Sequence, residues 1–194
     1  MEQHASDFSG RTVLELGAGC ALAGVTAAAC GGRVVLSDRQ AVATTLTREN
    51  CEAALLTGFP VPGSLSVSVL DWCEHEAWLG EHGRSWAWVL VADCVYHQQN
   101  DFTHLLALAQ LLAALIHQPE PPRVLFSSQE RDPAARHAFF SALASHRLCV
   151  STRSLAQLEE EGLDIGVGQH PSTELWWVGV DPLAAAPAEE TPNL

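Results

Sequence analysis

Two closely spaced glycines follow the first apolar run of the sequence and predict a ligand-binding turn. The run 13–16 leads directly into Gly17, Ala18 and Gly19, and an alanine-rich segment follows. Glycine lets the chain turn tightly and approach a ligand closely, and the N-terminus of a following helix offers free N–H groups. A dinucleotide site would need a third glycine where Leu22 stands, so a nicotinamide cofactor is the less favoured ligand. A glycine turn without any ligand is the alternative.

Two carboxylates stand where a site for a ribose-bearing ligand would use them. Asp38 closes the second apolar run, about 20 residues after the glycines, where it can accept hydrogen bonds from both ribose hydroxyls. The alternative for Asp38 is a helix N-cap. Glu15 lies inside the first apolar run, and a buried carboxylate needs donors, which a cofactor amino group would supply.

These residues must be positioned by strands that alternate with helices. The strongest helical pattern covers 101–117, with leucines 105, 106, 108, 111, 112 and 115 on one broad face. Continuously apolar strands between helices predict a parallel sheet covered on both faces, with any ligand at one edge. The predicted strands are 13–16, 34–36, 65–70, 88–92, 124–126, 148–155 and 174–180, and the predicted helices are 21–30, 40–55, 101–117 and 133–145.

Composition restricts the partners that we expect. The 194 residues include 10 arginines, no lysine and 23 acidic residues, for a formal net charge of −13. This charge predicts no nucleic-acid partner and favours a basic one. We expect no membrane span and no secretory signal. The spacing of the 6 cysteines matches no zinc site, so we expect a reducing compartment, the cytoplasm or also the nucleus.

Four short motifs follow one another along the chain. They are Leu-Glu-Leu-Gly-Ala-Gly at 14–19, Leu-Ser-Asp at 36–38, Leu-Asp-Trp at 70–72 and Val-Ala-Asp-Cys-Val-Tyr at 91–96. In this order they resemble the motifs of the seven-β-strand methyltransferases and, more narrowly, those of family 16, the methyltransferase-like 21 group of protein-lysine methyltransferases. The most specific motif is the D-x-x-Y element formed by Asp93 to Tyr96, and the resemblance covers about residues 11–181.

The resemblance implies an α/β fold with a Rossmann-like, doubly wound, seven-stranded sheet. The sheet would be mostly parallel with its last strand antiparallel, and helices would cover both faces. It implies a short leader at 1–10, a methyltransferase domain at 11–181 and a disordered tail at 182–194. Nothing in the sequence points beyond a monomer.

The resemblance also implies S-adenosyl-L-methionine as the cofactor and assigns residues to it. Trp72 as a core side chain is the alternative for that position. The assigned contacts are Gly17, Ala18 and Gly19 under the methionine part, Asp38 at the ribose, Asp71 and Trp72 at the adenine, and Ala92 in the pocket wall, with Glu15 near a cofactor amino group.

Asp93 and Tyr96 would then lie where a target lysine of a non-histone protein enters for in-line methyl transfer. Asp93 is expected to hold the amine by a hydrogen bond, and Tyr96 to orient the amine or wall its channel. The run 129–131 is a candidate docking site, although a solvated loop is the favoured interpretation. His97 is interpreted as a loop histidine.

Two alternatives stay open on the function. In the first, the chain is a methyltransferase whose acceptor is an arginine, a histidine ring or a small molecule. In the second, the chain is a catalytically weak binding protein with a methyltransferase-like fold, because few residues and no tryptophan precede the first strand.

Overall fold

The computed structural model describes residues 7–56, 60–96, 101–129, 131–154 and 173–180, whose strands form a seven-stranded sheet. The strands are β1 (Thr12–Leu16), β2 (Arg33–Asp38), β3 (Ser64–Val69), β4 (Trp88–Ala92), β5 (Arg123–Gln129), β6 (Leu148–Ser154) and β7 (Thr173–Val180). The α-helices are α1 (Leu22–Ala29), α2 (Gln40–Val42), α3 (Arg48–Leu56), α4 (His75–His82), α5 (Thr103–Ile116) and α6 (Pro133–Ser145).

The strand order confirms the predicted doubly wound topology. The sheet runs β3-β2-β1-β4-β5-β7-β6. The pairs from β3 to β5 are parallel, and β7 is antiparallel to both of its neighbours. The order reverses between β1 and β4, where Leu14 pairs with Val35 on one side and Val89 on the other. A crevice at the carboxyl ends of strands at such a reversal is the usual ligand position in open α/β sheets.

Helices cover both faces of the sheet because successive strand side chains point to opposite sides. Leu14 and Leu16 belong to one apolar cluster, which includes the buried leucines of α5 and Phe139 of α6. Val13, which points the other way, belongs to a second cluster with Ala28 of α1. The two clusters confirm the prediction of a sheet buried on both sides.

The α5 helix supplies a large part of the first cluster. Its fully buried leucines are Leu105, Leu108, Leu111, Leu112 and Leu115, and burying such a side chain contributes about 1.5–3 kcal/mol. Leu106 was predicted on the same face, but it is 47% exposed. The predicted face was therefore one residue too wide.

The segment between β3 and β4 differs from the predicted pattern. We predicted no helix there, yet a 3-10 turn (Trp72–Glu74) leads into α4. A second difference lies between β2 and β3, where a π-helical turn (Ala43–Thr47) interrupts the predicted helix 40–55. The α4 sequence His-Glu-Ala-Trp-Leu-Gly-Glu-His buries Trp78 and Leu79, too few residues to show a helical period. A π-helical turn has no sequence signature of its own.

Several predictions fall on other parts of the chain. Residues 1–6 of the predicted leader, His97 and the predicted tail at 182–194 lie outside the described residues. The rest of the leader packs on the sheet, since Phe8 lies 4.9 Å from the Trp88 ring and Asp7 accepts a hydrogen bond from its indole. None of the helices in the described part of the chain is long and apolar enough to cross a bilayer.

Candidate active site

A cleft of about 750 Å³ lies at the carboxyl ends of β1, β2 and β4, at the point where the strand order reverses. Its volume falls within the roughly 300–1,000 Å³ of small-molecule sites. The sequence motifs converge here although up to 81 positions separate them, since 96 − 15 = 81. Every site residue predicted from the sequence lines this cleft: Glu15, Gly17, Ala18, Gly19, Asp38, Asp71, Trp72, Ala92, Asp93 and Tyr96. The roles assigned to these residues stay predictions.

The turn after β1 depends on glycine at position 17. Gly17 has a φ of +66°, and a Cβ atom there would lie 2.6 Å from the Cys94 Sγ and 3.1 Å from the Trp72 ring. Only glycine adopts this conformation readily and also leaves that space. The turn therefore brings the ends of β1 and β4 and the Trp72 indole into direct contact.

Asp38 ties the glycine turn to the end of β2. Its Oδ2 accepts the Gly19 N–H at 2.8 Å, and its Oδ1 accepts the Arg39 N–H at 2.8 Å. Arg39, not Asp38, is the N-cap residue of α2, so the N-cap alternative for Asp38 is wrong. Each carboxylate oxygen keeps a second lone pair, which is the acceptor set that a ribose diol needs.

Glu15 is a buried carboxylate between β1 and α1. It is 1% exposed, and its Oε2 accepts the Gly24 N–H at 2.9 Å. Burial raises the pKa of Glu15 to about 7, with the Gly24 hydrogen bond opposing and the Asp38 charge adding to the rise. A Cβ atom on Gly24 would lie 2.4 Å from the same oxygen, so glycine is needed for α1 to approach β1 this closely.

Trp72 and Asp71 form the wall that faces the glycine turn. Asp71 accepts the Cys73 N–H at 3.0 Å and begins the 3-10 turn. The Trp72 ring is stacked with His104, with the ring centroids 6.4 Å apart and the planes at 18°. The cleft thus has an extended aromatic wall with a carboxylate at its edge.

Asp93 and Tyr96 occupy the turn that follows β4. Asp93 has a φ of +55°, and its N–H donates to the Ser127 carbonyl at 2.7 Å. Its carboxylate is ion-paired with the Arg131 guanidinium. Tyr96 is 40% exposed, and its carbonyl accepts a hydrogen bond from His104. The D-x-x-Y element is therefore anchored at both ends by side chains from later elements.

Sequence reasoning missed the contributions of Arg131 and His104. A solvated loop was the favoured interpretation of the run 129–131. Residue 130 lies outside the described residues, whereas the exposed Arg131 is paired with Asp93 and donates its Nε–H to the Gln129 side-chain oxygen at 3.1 Å. The pairing of Ala92 with Ser127 places the segments after β4 and β5 side by side; this neighbourhood was the available signal. No periodicity or motif marked His104, which lies in the first turn of α5.

Cys94 is a buried thiol beside the glycine turn. It is 5% exposed, and its Sγ lies 3.6 Å from the Leu16 carbonyl. Burial raises the pKa of the Cys94 thiol, so this group stays neutral beside the cleft. All six cysteines are free.

The donor set of the cleft fits S-adenosyl-L-methionine. The Asp38 carboxylate suits a ribose diol, the Trp72 indole offers a stacking surface for an adenine, and the acidic groups suit a sulfonium cation. The described residues contain no group of three or more His, Cys, Asp and Glu side chains that could hold a metal ion.

Comparisons with known proteins agree with this fit. The profile of a family described as lysine methyltransferase matches residues 1–146, more than half of the chain. The chain is also 29% identical over 123 residues to the histone-arginine methyltransferase METTL23 of Xenopus laevis. That match covers 60% of this chain and 47% of the relative, so the chain spans about half the length of this curated protein.

Solved structures of low sequence identity share the fold. The methyltransferase domain of bacterial CtHen1-CN superposes with a TM-score of 0.58 at 10% identity, covering 88% of this chain and 90% of that domain. The magnesium protoporphyrin IX methyltransferase of Synechocystis, solved with bound SAH, has a TM-score of 0.53 at 11% identity, covering 92% and 77%. The family match confirms the family resemblance and the predicted cofactor, and the solved structures confirm the Rossmann-like fold.

Proposed function

The chain belongs to the lysine methyltransferase family, and from that premise we propose that it transfers a methyl group from S-adenosyl-L-methionine to a lysine ε-amine of a non-histone protein. The observation that carries the proposal is one cleft that holds both the glycine turn with Asp38 and the D-x-x-Y residues Asp93 and Tyr96. A cofactor-type site and an acceptor-type site are thus adjacent.

Each half of the cleft has a separate task in this proposal. The cofactor supplies an electrophilic methyl group on a sulfonium sulfur. Asp38 accepts the ribose hydroxyls, and the turn at Gly17 lets the main chain lie directly under the cofactor. Alignment of donor and acceptor in this way supplies roughly 7–11 kcal/mol of the barrier.

The acceptor half must take a lysine amine in its neutral form. The ordinary pKa of lysine is about 10.4, and apolar surroundings disfavour the ammonium. The rings of Trp72 and Tyr96 provide part of such surroundings, while the Asp93 carboxylate accepts a hydrogen bond from the amine. Asp93 is already paired with Arg131, so we assign it the task of holding the amine rather than removing its proton.

An arginine acceptor is the second candidate. It is favoured by the name of the METTL23 relative and by the Asp93–Arg131 pair, which displays a guanidinium bound to the carboxylate at the acceptor position. A substrate guanidinium would replace that of Arg131 at Asp93.

The charge and the cysteines support further parts of the proposal. A net charge of −13 favours a basic protein segment over nucleic acid as the partner. Six free cysteines suit a reducing compartment, and we place the protein in the cytoplasm or the nucleus. We assign it the monomeric state.

The purified chain, incubated with S-adenosyl-L-methionine carrying a labelled methyl group and a cell lysate, tests the acceptor. Mass spectrometry then identifies the labelled residue type. Label on lysine supports the proposal, and label on arginine supports the second candidate. Because the chain has no lysine, any methyl-lysine comes from another protein. Calorimetric binding of the cofactor without any transfer would instead support the binding-protein alternative.

A further inference from the structure

His104 lies where the proposed cofactor and acceptor halves of the cleft meet. It is in the first turn of α5, and its ring is stacked with Trp72. The ring is also tilted against that of Tyr96, with 5.5 Å between the ring centroids and 42° between the planes. All three side chains line the cleft together with Asp93. The imidazole is therefore close to both groups that methyl transfer would bring together.

The hydrogen bond of His104 defines its tautomer. Its Nε2 lies 2.7 Å from the Tyr96 carbonyl oxygen, which can only accept, so Nε2 carries the hydrogen. In the neutral ring, Nδ1 is then the nitrogen with a lone pair. Within the part of the chain that the structure describes, this Nδ1 has no hydrogen-bond partner. His104, which lines the cleft, thus has an acceptor nitrogen without a donor among the described residues.

The surroundings of His104 keep the ring neutral. Burial lowers the pKa of His104, and the Arg39 guanidinium adds to this effect. The Tyr96 carbonyl and the Asp101 carboxylate oppose it. The other charged or titratable groups of the cleft are Glu15, Cys20, Asp38, Asp71, Cys73, Asp93, Cys94 and Tyr96.

We propose that His104 accepts the proton that the substrate nitrogen loses during methyl transfer. The proposal rests on the proposed methyltransferase function. The substrate nitrogen forms a bond to the methyl carbon while the carbon–sulfur bond breaks, and the sulfur keeps that electron pair. The N–H proton passes to Nδ1, and the resulting imidazolium releases a proton to water. Arg131 engages the Asp93 carboxylate, which leaves His104 as the free acceptor for this proton.

The variants His104→Gln and His104→Ala separate proton acceptance from positioning. The glutamine Nε2 can keep the hydrogen bond to the Tyr96 carbonyl, but it has no basic nitrogen. General-base removal typically costs 10²–10⁴-fold, so we expect H104Q to lower kcat by about 100-fold or more. Its affinity for S-adenosylhomocysteine and its Tm should stay unchanged. We expect added imidazole to restore part of the activity of H104A, and His137→Gln, an exposed change on α6, to have no effect.

The pH profile and the tautomer complete the test. The part of the pH dependence of kcat that follows the titration of His104 should disappear in H104Q, and a wild-type kcat and profile in that variant would overturn the proposal. Nitrogen-15 NMR of the wild-type protein measures the tautomer without turnover. The Nε2–H form is expected, and an Nδ1–H form would overturn the role of His104 while leaving the proposed function standing. Failure of the wild-type protein to transfer a methyl group would overturn both.

Discussion

Gly19 donates its backbone N–H to the carboxylate of Asp38 over 2.8 Å, across 19 positions of sequence. The bond joins the turn after β1 to the end of β2. Thr47 holds the same turn from the π-helical segment, since its hydroxyl donates to the Gly19 carbonyl at 2.9 Å. The proposed cofactor half of the cleft is therefore held in shape by the protein's own hydrogen bonds, and Asp38 has a structural task beside the ribose-binding task that we propose for it.

We expect Asp38→Ala to weaken cofactor binding more than it weakens the fold. A hydrogen bond to a charged group contributes about 1.5–3 kcal/mol, which corresponds to a loss of about 10–100-fold in affinity for S-adenosylhomocysteine. Titration calorimetry measures this affinity, and thermal unfolding measures the stability. Glu81→Ala removes an exposed carboxylate of α4 outside the cleft and is the control. Equal affinities of D38A and E81A would contradict the assigned role.

Gly17→Ala should destabilise the protein through two separable effects. A φ of +66° strains any other residue, and the new Cβ would meet the Cys94 Sγ at 2.6 Å. Strained backbone of this kind costs about 1–3 kcal/mol, measured as the free energy of unfolding in urea. The double variant with Cys94→Ala removes the contact with Sγ and leaves the backbone strain and the 3.1 Å approach to the Trp72 ring.

A glycine inside a helix, Gly80, provides the control for Gly17. Gly80 in α4 has nothing within 4 Å of an added Cβ, and alanine is favoured over glycine inside helices by about 0.5–1 kcal/mol. Gly80→Ala should therefore be neutral or stabilising. A G17A protein as stable as G80A would show that the turn tolerates a side chain.

Asp93→Asn tests the carboxylate of the D-x-x-Y element. Asparagine tolerates the positive φ of this position and keeps the size of the side chain while removing its charge. Loss of a charged hydrogen bond to the acceptor corresponds to a fall of about 10–100-fold in kcat/KM. Binding of S-adenosylhomocysteine should not change. Methyl transfer to the identified substrate provides the measurement.

Arg131→Gln separates the carboxylate of Asp93 from its ion pair. This variant breaks the pair but keeps the acceptor, and exposed ion pairs contribute only about 0–1 kcal/mol to stability. We expect a smaller fall in kcat/KM than for D93N. If R131Q and D93N lose equal activity, the ion pair rather than the hydrogen bond to the substrate is the essential feature.

The strands and the glycine turn were predictable because each leaves a local trace, whereas Asp71, Trp72 and Ala92 were assigned through the family resemblance. The continuous apolar run before Gly17 follows from burial on both faces of the sheet. The acid at position 38 ends the next strand, and the carboxyl ends of parallel strands meet at one edge of the sheet. Even the pairing of β1 with β4 follows from the doubly wound order. The convergence of all predicted site residues on one cleft reflects this regularity.

The contacts that the sequence did not reveal depend on geometry between distant elements. His104 meets Tyr96 only because the first turn of α5 lies beside the segment after β4, and the side-chain directions there follow from packing. Arg131 reaches Asp93 across 38 positions. The short helix α4 was not predicted because it buries too few side chains to show a helical period in the sequence. Such features need the three-dimensional arrangement, whereas the motifs themselves do not.

Glu15 should make the protein less stable as the pH rises. Folding raises the pKa of Glu15 from its ordinary value of 4.5 to about 7, so the native state retains a proton that the unfolded chain has released. The stability due to this proton is complete below about pH 4.5 and is lost as the pH rises through about 7.

Glutamine can accept the Gly24 N–H without carrying a charge. Between pH 4.5 and 8, the free energy of unfolding of Glu15→Gln should therefore fall less than that of the wild type, by up to about 3 kcal/mol. Urea unfolding at several pH values measures the difference, and Glu81→Gln should follow the wild-type profile. Parallel profiles for E15Q and the wild type would show that the buried carboxylate titrates normally.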